Sequence, residues 1–365
     1  MMFKVPLFLK HFGALAQFNI ARSAIILIAL GGIGAATSAH AQVPAGVPNE
    51  PVLSINDWLL RMHDAAMKKR SYVGTLVQSS PHNISSARIW HTCDGAQQME
   101  RVETLTGAPR STFRHNDKLV TFMPEIKLVR VEKREQVGGF PEVLKPGVGS
   151  IPEFYAVKAL GGERIAGLEA DVVRLVPKDT LRFGYRIWTE KKTSLVLKLQ
   201  TLDATGAVLE QAAFSELQLD APVKMEKLMQ MMAATDGYKV DQAAITKTTA
   251  TAEGWLMKLP VAGFKSLSCY KRGASSVQGN ASVNASSTTA SQSDSTFQWL
   301  FSDGLATVSL FVEEFDKTRH TQEGMIASGA THTLLKRMNE YWLTAVGEVP
   351  PQTLKSFAQS LERVR

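Results

Sequence analysis

His63, His82, His91, His115, His320 and His332, the cysteines Cys93 and Cys269, and the adjacent acid and base pairs Glu100-Arg101 and Lys178-Asp179 are the residues whose types could carry acid–base, nucleophilic or metal chemistry. A metal site needs several such ligands presented together, and these histidines are scattered singly. His91 and Cys93 share a face if they lie on one strand, but nothing orients the imidazole as a base for the thiol. The two charged pairs read as cross-strand ion pairs on a solvated sheet face. There is no H-E-x-x-H, no G-x-S-x-G, no P-loop, and no G-x-G-x-x-G opening a helix after a strand. The reading is therefore of a non-enzymatic binding protein with no catalytic residues, no metal and no cofactor.

Composition narrows the partner. The 365 residues carry a formal charge of +7, with 44% hydrophobic and 21% charged side chains, which suits a globular chain of two domains. Two cysteines cannot make a disulfide scaffold or a four-cysteine zinc site, and they are expected to be unpaired, partly buried thiols. Lys4, Lys10 and Arg22 precede the apolar run 24–30, and Ala39-His40-Ala41 offers an A-x-A cleavage pattern. This predicts a cleaved signal peptide over 1–41 and an exported mature protein. Removing it takes away three basic residues and no acidic one, so the charge falls to +4. With no long Lys/Arg run and no aromatics interleaved among basic clusters, nucleic acid is set aside as a partner.

The elements follow from periodicity. Ser54 is a good N-cap, and Ile55, Trp58, Leu59, Met62, Ala65 and Ala66 fall on one face of a helix. From Tyr72 to Leu217 short β-rich runs alternate with turn signals such as Cys93-Asp94-Gly95, Thr106-Gly107 and Ala166-Gly167. The spacing predicts an α+β chain of two domains. Residues 42–222 are expected to form an antiparallel sheet curled around the helix, 223–254 an interdomain linker, and 255–365 a smaller antiparallel sheet with a packed C-terminal helix. The stretch 273–296 is almost entirely Ser, Ala, Thr, Asn, Gln and Gly and is expected to be a mobile loop. Inward residues of a curled sheet either fill it or line an apolar ligand cavity. Trp58, Met62, Phe122, Phe183, Tyr185 and Trp188 are the candidates for lining a lipid groove, although strand alternation forbids all of them from facing the same way.

Several of these segments, in this order, resemble the RseB/MucB family of periplasmic regulators of the sigma-E-type envelope stress response. They are Trp58 to Met62, Ser71-Tyr72-Val73-Gly74-Thr75, Glu100-Arg101 ahead of Leu105-Thr106-Gly107-Ala108-Pro109-Arg110, Arg164-Ile165-Ala166-Gly167, and Pro177-Lys178-Asp179 leading into Arg182 to Trp188. In the second unit come Gly263-Phe264, Ser302 to Phe311, Gly329-Ala330-Thr331-His332 and Val346 to Pro350. The resemblance implies a larger N-terminal domain similar to lipoprotein carriers of the LolA/LolB type, an antiparallel half-barrel wrapped around a helix, and a smaller C-terminal domain. It also implies binding of the periplasmic domain of an RseA/MucA-like anti-sigma factor, shielding of that factor from regulated proteolysis, and release when an acylated lipid or lipopolysaccharide fragment arrives. It points to the C-terminal domain for the partner contact, with Asp303, Gly304, Leu305, Phe311, Glu313 and Glu314 as candidates. Self-association stays open as a further contact. The alternative is a periplasmic lipid or lipoprotein carrier, for which the first domain alone would suffice.

Overall fold

The computed structural model describes residues 71–95, 97–133, 151–242, 245–273, 276–278 and 295–364, together with Trp58, Arg61, Met62 and Ala65, which are helical. The predicted export signal lies outside the described residues. The first sheet is built from β1 (Tyr72–Ser80), β2 (Asn83–Cys93), β3 (Gln98–Thr104), β4 (Ser111–His115), β5 (Lys118–Met123), β6 (Leu128–Lys133), β7 (Tyr155–Ile165), β8 (Leu168–Pro177), β9 (Gly184–Glu190), β10 (Val196–Leu202) and β11 (Val208–Leu219). Two later strands join it, β12 (Lys239–Gln242) and β16 (Ser276–Gln278), giving thirteen strands in the order β16-β12-β6-β5-β4-β3-β2-β1-β11-β10-β9-β8-β7. The sheet is open, and β7 is one of its edges.

The second, smaller sheet runs β13-β15-β17-β18-β21-β20-β19, from β13 (Ile245–Thr248), β15 (Lys265–Arg272), β17 (Thr296–Ser302), β18 (Thr307–Glu314), β19 (Gly324–Ser328), β20 (Thr331–Met338) and β21 (Tyr341–Gly347). A separate pair, β14 (Trp255–Met257) and β22 (Leu361–Arg363), closes its end. The alternation Val308, Leu310, Val312 along β18 faces helix α3 (Pro351–Ser360), whose Leu354 and Phe357 are fully buried. Phe357 packs on Phe264 and Phe301 at ring separations of 5.5 and 4.9 Å.

Both faces of the first sheet are covered, by different helices. Trp58 and Met62 pack with Val173, Leu175, Tyr185, Ile187 and Val196. Helix α2 (Met225–Ala233) packs through Leu228 and Met232 on Met99, Phe113, Val120, Phe122 and Val129. Following the register from Tyr185 through Thr201, Glu210 and Phe214 to Leu76, Ala87 and Thr104 leaves Met99, Arg101 and Phe113 on the opposite side. The N-terminal helix and α2 therefore sandwich the sheet.

The segment read as a linker is structured. After α2 the chain adds β12 to the first sheet, beside β6 and parallel to it, and then β13 to the second. The return crossing is made by β15 and β16: Val240 pairs with Gln278 and Gln242 with Ser276, then Ile245 with Arg272 and Thr248 with Cys269. On either side of residues 243–244 and 274–275, which lie outside the described residues, the same two runs of chain pair antiparallel, once in each sheet, as a ribbon in two halves whose register is offset by one residue. Part of the stretch expected to be a mobile loop is thus strand β16; residues 279–294 lie outside the described residues. The ribbon is pinned to β6 by Arg130, which bonds Asp241 at 3.0 Å, and by Arg272, which lies 3.7 Å from Glu132.

Candidate functional site

The two sheets meet where the β8–β9 connection, residues 178–183, enters the β17–β18 turn. Asp179 organises that connection locally by accepting the Leu181 N–H at 3.0 Å, and Lys178 ties it to the Pro152 carbonyl. This aims Arg182 into the second domain. Its Nε donates to Asp303 Oδ2 at 2.8 Å, Nη1 pairs with Asp179, and Nη2 donates to the Ala262 carbonyl at 2.7 Å. The guanidinium lies 4.4 Å from the Phe154 ring centroid and 5.2 Å from that of Phe264. Neither the Arg182 nor the Asp303 side chain has any solvent exposure. Asp303 is satisfied on every side: Tyr155 donates to Oδ2 at 3.2 Å, and the N–H groups of Leu305 and Ala306 donate to Oδ1 at 2.9 and 2.8 Å. Helix α3 adds two contacts from its first turn, Gln352 to the Thr180 carbonyl and Thr353 to the Leu181 carbonyl at 2.7 Å.

A second contact in the same joint is acidic. Glu210 on β11 accepts the Ala330 N–H at 3.1 Å, and desolvation raises its carboxyl above the ordinary carboxylate value. Glu348, just past β21, keeps exposed surface as a residue, yet desolvation of its carboxyl by the surrounding protein, and then Glu210, push it up to about 7. Beneath them Tyr185 is buried, and its hydroxyl is raised by desolvation and by Asp303, Glu348 and Glu210.

A cavity of about 620 Å³ lies between α2 and the strands that it covers. Val73, Trp90, Arg101 and Gln218 form one row of its wall across β1, β2, β3 and β11, and Leu228 and Met231 close it from α2. Arg101 is held over Trp90 at 4.7 Å and anchored by Ser111 and Glu103 at 3.0 Å each. Lys224 and Lys227 complete the rim. An apolar wall with three cations at its edge suits a ligand that has an apolar body and a negative group.

The sequence-derived groove residues separate. Trp58, Met62 and Tyr185 share one packed cluster, whereas Phe122 lies under α2 and Trp188 with Ala170, Val172 and Leu197, both on the opposite face. Phe183 sits in the joint, 5.9 Å from the His332 ring. Of the partner candidates, Asp303 and Gly304 are buried in the joint, with Leu305 partly buried against the Trp58 cluster. Phe311 is half-buried on β18, Glu313 holds His320 at 3.1 Å, and Glu314 is exposed at the strand end. Glu100 and Arg101 point to opposite faces. Burial works to raise Glu100, yet His91 and the Arg114 guanidinium hold it below the usual carboxylate value. Sequence reasoning missed Arg182, Glu210 and Glu348. Asp179 three residues before Arg182, within a turn, was the available sign for the first; nothing local marks the other two.

Comparison with known proteins gives matches to two family descriptions in chain order. The MucB/RseB N-terminal domain matches residues 54–232, and the MucB/RseB C-terminal domain matches 249–362. The sigma factor AlgU regulatory protein MucB of Pseudomonas aeruginosa is 26% identical over 332 residues, covering 86% of this chain and 93% of that one. The sigma-E factor regulatory protein RseB of Haemophilus influenzae is 23% identical over 298 residues, covering 81% and 88%. The crystal structure of MucB in complex with MucA(peri) aligns with a TM-score of 0.60 at 23% identity, over 85% of this chain and 99% of that one. That likeness shows the shared fold, a large open N-terminal sheet and a smaller C-terminal one.

Proposed function

The chain belongs to the MucB/RseB family, and from that premise we propose that it is a periplasmic regulator that binds the periplasmic domain of a membrane-spanning anti-sigma factor, shields it from regulated proteolysis, and releases it on a lipid signal. The observation that carries this reading is that both family domains match, in order, in a chain whose two sheets are docked through a dedicated buried joint. A carrier that needed only the first sheet would have no use for Asp303, Ala330 or Thr353 as docking groups. MucB, which shares the fold, has been crystallised with MucA(peri), and this supports an equivalent partner here.

The lipid half of the reading draws on the cavity under α2. The cluster around Trp58, Met62 and Tyr185 is filled, so acyl chains would enter there only by displacing the N-terminal helix. The 620 Å³ space beside Trp90 is already open and has Arg101, Lys224 and Lys227 for an anionic head group. Burial of acyl methylenes stabilises a complex by about 0.8 kcal/mol each, enough for a few methylenes to compete with a protein partner.

The test is a pull-down from envelope extract, followed by calorimetry with the recombinant periplasmic domain of the captured membrane protein. One single-span anti-sigma factor, bound directly and cleaved more slowly in the complex, is the expected result. Capture of many lipoproteins instead would favour the carrier.

A further inference from the structure

Two neighbouring rows of side chains cross the first sheet on the face away from the Trp58 cluster, and no register shift interrupts either. The first begins with three cations directly opposite one another, Lys158, Arg174 and Arg186, passes through two glutamines and Ser79, and ends at Ile84. The second begins at Trp188 and Lys198 and passes through Ala213 and Val77 to Ser86. Leu105 extends it, because its N–H donates to the Ser86 carbonyl at 2.9 Å. Like charges directly opposite on adjacent strands destabilise a sheet, yet among the described residues none of Lys158, Arg174, Arg186 and Lys198 forms an ion pair. The rows hold no carboxylate, and the acids that border them are engaged. Glu163 accepts the Trp188 indole N–H at 2.8 Å, Asp203 accepts the Thr205 and Ala207 N–H groups, and Glu216 faces Arg88 at 3.6 Å.

A second observation is independent of the charges and lies at the other end of the same rows. Ile84 is 69% exposed and Leu105 52%. Single exposed apolar side chains are ordinary, but these two stand on adjacent strands as diagonal neighbours, Leu105 beside Ser86 and Ile84 two residues before it. Only uncharged side chains separate this apolar end from the cations. Six strand steps of about 4.8 Å place Lys158 and Ile84 roughly 29 Å apart along the sheet, too far for one small anion to meet both ends.

We propose that this face docks on an anionic phospholipid bilayer, with the cations on head-group phosphates and Ile84 and Leu105 entering the acyl boundary. A surface that carries negative charge at one depth and hydrocarbon just below it is complementary to both ends at once. An acidic polypeptide would match the cations and leave the bare Ile84 and Leu105 without a partner. Single-stranded nucleic acid would need exposed aromatic rings for stacking, and the aromatic residue of these rows, Trp188, is buried. The six side chains that carry the contact include none that lines the cavity under α2, so bilayer docking is separate from capture of a lipid there. It is equally separate from partner binding, since neither Arg182 nor Asp303 of the joint takes part.

The experiment uses residues 42–365, so that the apolar run 24–30 cannot contribute. Co-sedimentation compares vesicles of phosphatidylethanolamine containing one quarter phosphatidylglycerol with vesicles of phosphatidylcholine. Binding to the anionic vesicles should be about tenfold tighter or more, and salt of about 1 M, which shortens screening to about 3 Å, should remove most of that preference. A cation beside an anionic leaflet contributes about fivefold, so Lys158→Glu, which also adds an anion, should lower binding by roughly tenfold or more. Ile84→Ser and Leu105→Ser should each lower it about fivefold. Lys317→Glu makes the same change of net charge on an exposed turn of the second domain and should lower it by less than about twofold. All four positions are exposed, so thermal unfolding of the variants should match that of the unsubstituted protein, which separates lost docking from lost folding. Equal binding to both kinds of vesicle, or unchanged binding of Lys158→Glu or of Ile84→Ser, overturns the proposal. An equal loss in Lys317→Glu also overturns it, because the attraction would then be one of net charge alone. No vesicle binding, with weaker binding of the same variants to the recombinant periplasmic domain of the anti-sigma partner, would assign the face to a polypeptide instead.

Discussion

Replacing Arg182 by Met keeps a stem of similar length between Phe154 and Phe264 but leaves the Asp303 carboxylate without its cation. Asp303 has no solvent exposure, so water cannot take the place of the guanidinium. The remaining donors, Tyr155 and the Leu305 and Ala306 N–H groups, bind the carboxylate but do not neutralise it. Breaking a buried ion pair by removing one member costs about 3–5 kcal/mol, whereas replacing both members with apolar groups is often nearly neutral, because the desolvation penalty largely offsets the attraction. Arg182→Met and Asp303→Leu alone should therefore each lose about 3 kcal/mol or more, and the double substitution should recover at least half of the summed loss. The unfolding midpoint of each single variant should fall on the order of 10 °C. Denaturant unfolding of the two single variants and the double variant measures the coupling. Losses below about 1 kcal/mol for both single variants, or strict additivity in the double, would refute the view that this pair holds the domains together.

Four further outcomes follow from the geometry. Glu348 has a folded-state pKa raised to about 7, so its contribution favours the native state at low pH and is lost as pH rises from about 4.5 to 7; because Glu348 is solvent-exposed, the effect should be on the order of 1 kcal/mol, and denaturation of Glu348→Gln should show that limb of the pH profile flattened. Gly263 has φ +81°, and a Cβ there would meet Arg182 and sit 2.9 Å from Phe154, so Gly263→Ala should destabilise by about 1–3 kcal/mol, read in the same unfolding assay. Reversing Lys224 and Lys227 to Glu should weaken binding of tetradecyl phosphate roughly tenfold while sparing a neutral detergent of the same chain length, measured by quenching of tryptophan fluorescence. The Cys269 thiol is buried and its pKa is pushed up to about 11, so a thiol reagent at pH 8 should modify half-buried Cys93 first and reach Cys269 only on unfolding.

Part of the fold was legible where a strand has one dry face: β18 alternates cleanly, and the helix expected at the C-terminus forms as α3 right after Pro350. β7 was missed for the opposite reason: Lys158 to Arg164 is exposed at a sheet edge and contains Gly161-Gly162, so no alternation marks it as a strand. The ribbon was missed because Lys239–Gln242 and Ser276–Gln278 are held by edge pairing rather than by an apolar face, and polar composition there reads as a linker or loop. The candidate groove failed as a set by parity. Tyr185 and Trp188 are three residues apart on one strand and so face opposite ways, and the register shifts in β10 and β11 alter that count again. The joint was beyond reach, since Arg182 and Asp303 are separated by 121 positions and neither is unusual locally.

The ribbon changes how the two halves can move. Domains joined by one strand of chain can swivel about any bond in it, whereas two crossings that pair antiparallel in each of the two sheets resist twisting and stretching and leave one soft direction, bending across the flat face of the paired strands. Loosening the Arg182 contact would then open the molecule like a book on its spine rather than release two tethered bodies. Val240, Asp241 and Ile245 lie at that spine, on the side of the first sheet far from β7. A signal that acts at the joint would be converted into an angle with a fixed axis, and a partner that reads this angle could respond to the opening without touching the group that triggered it.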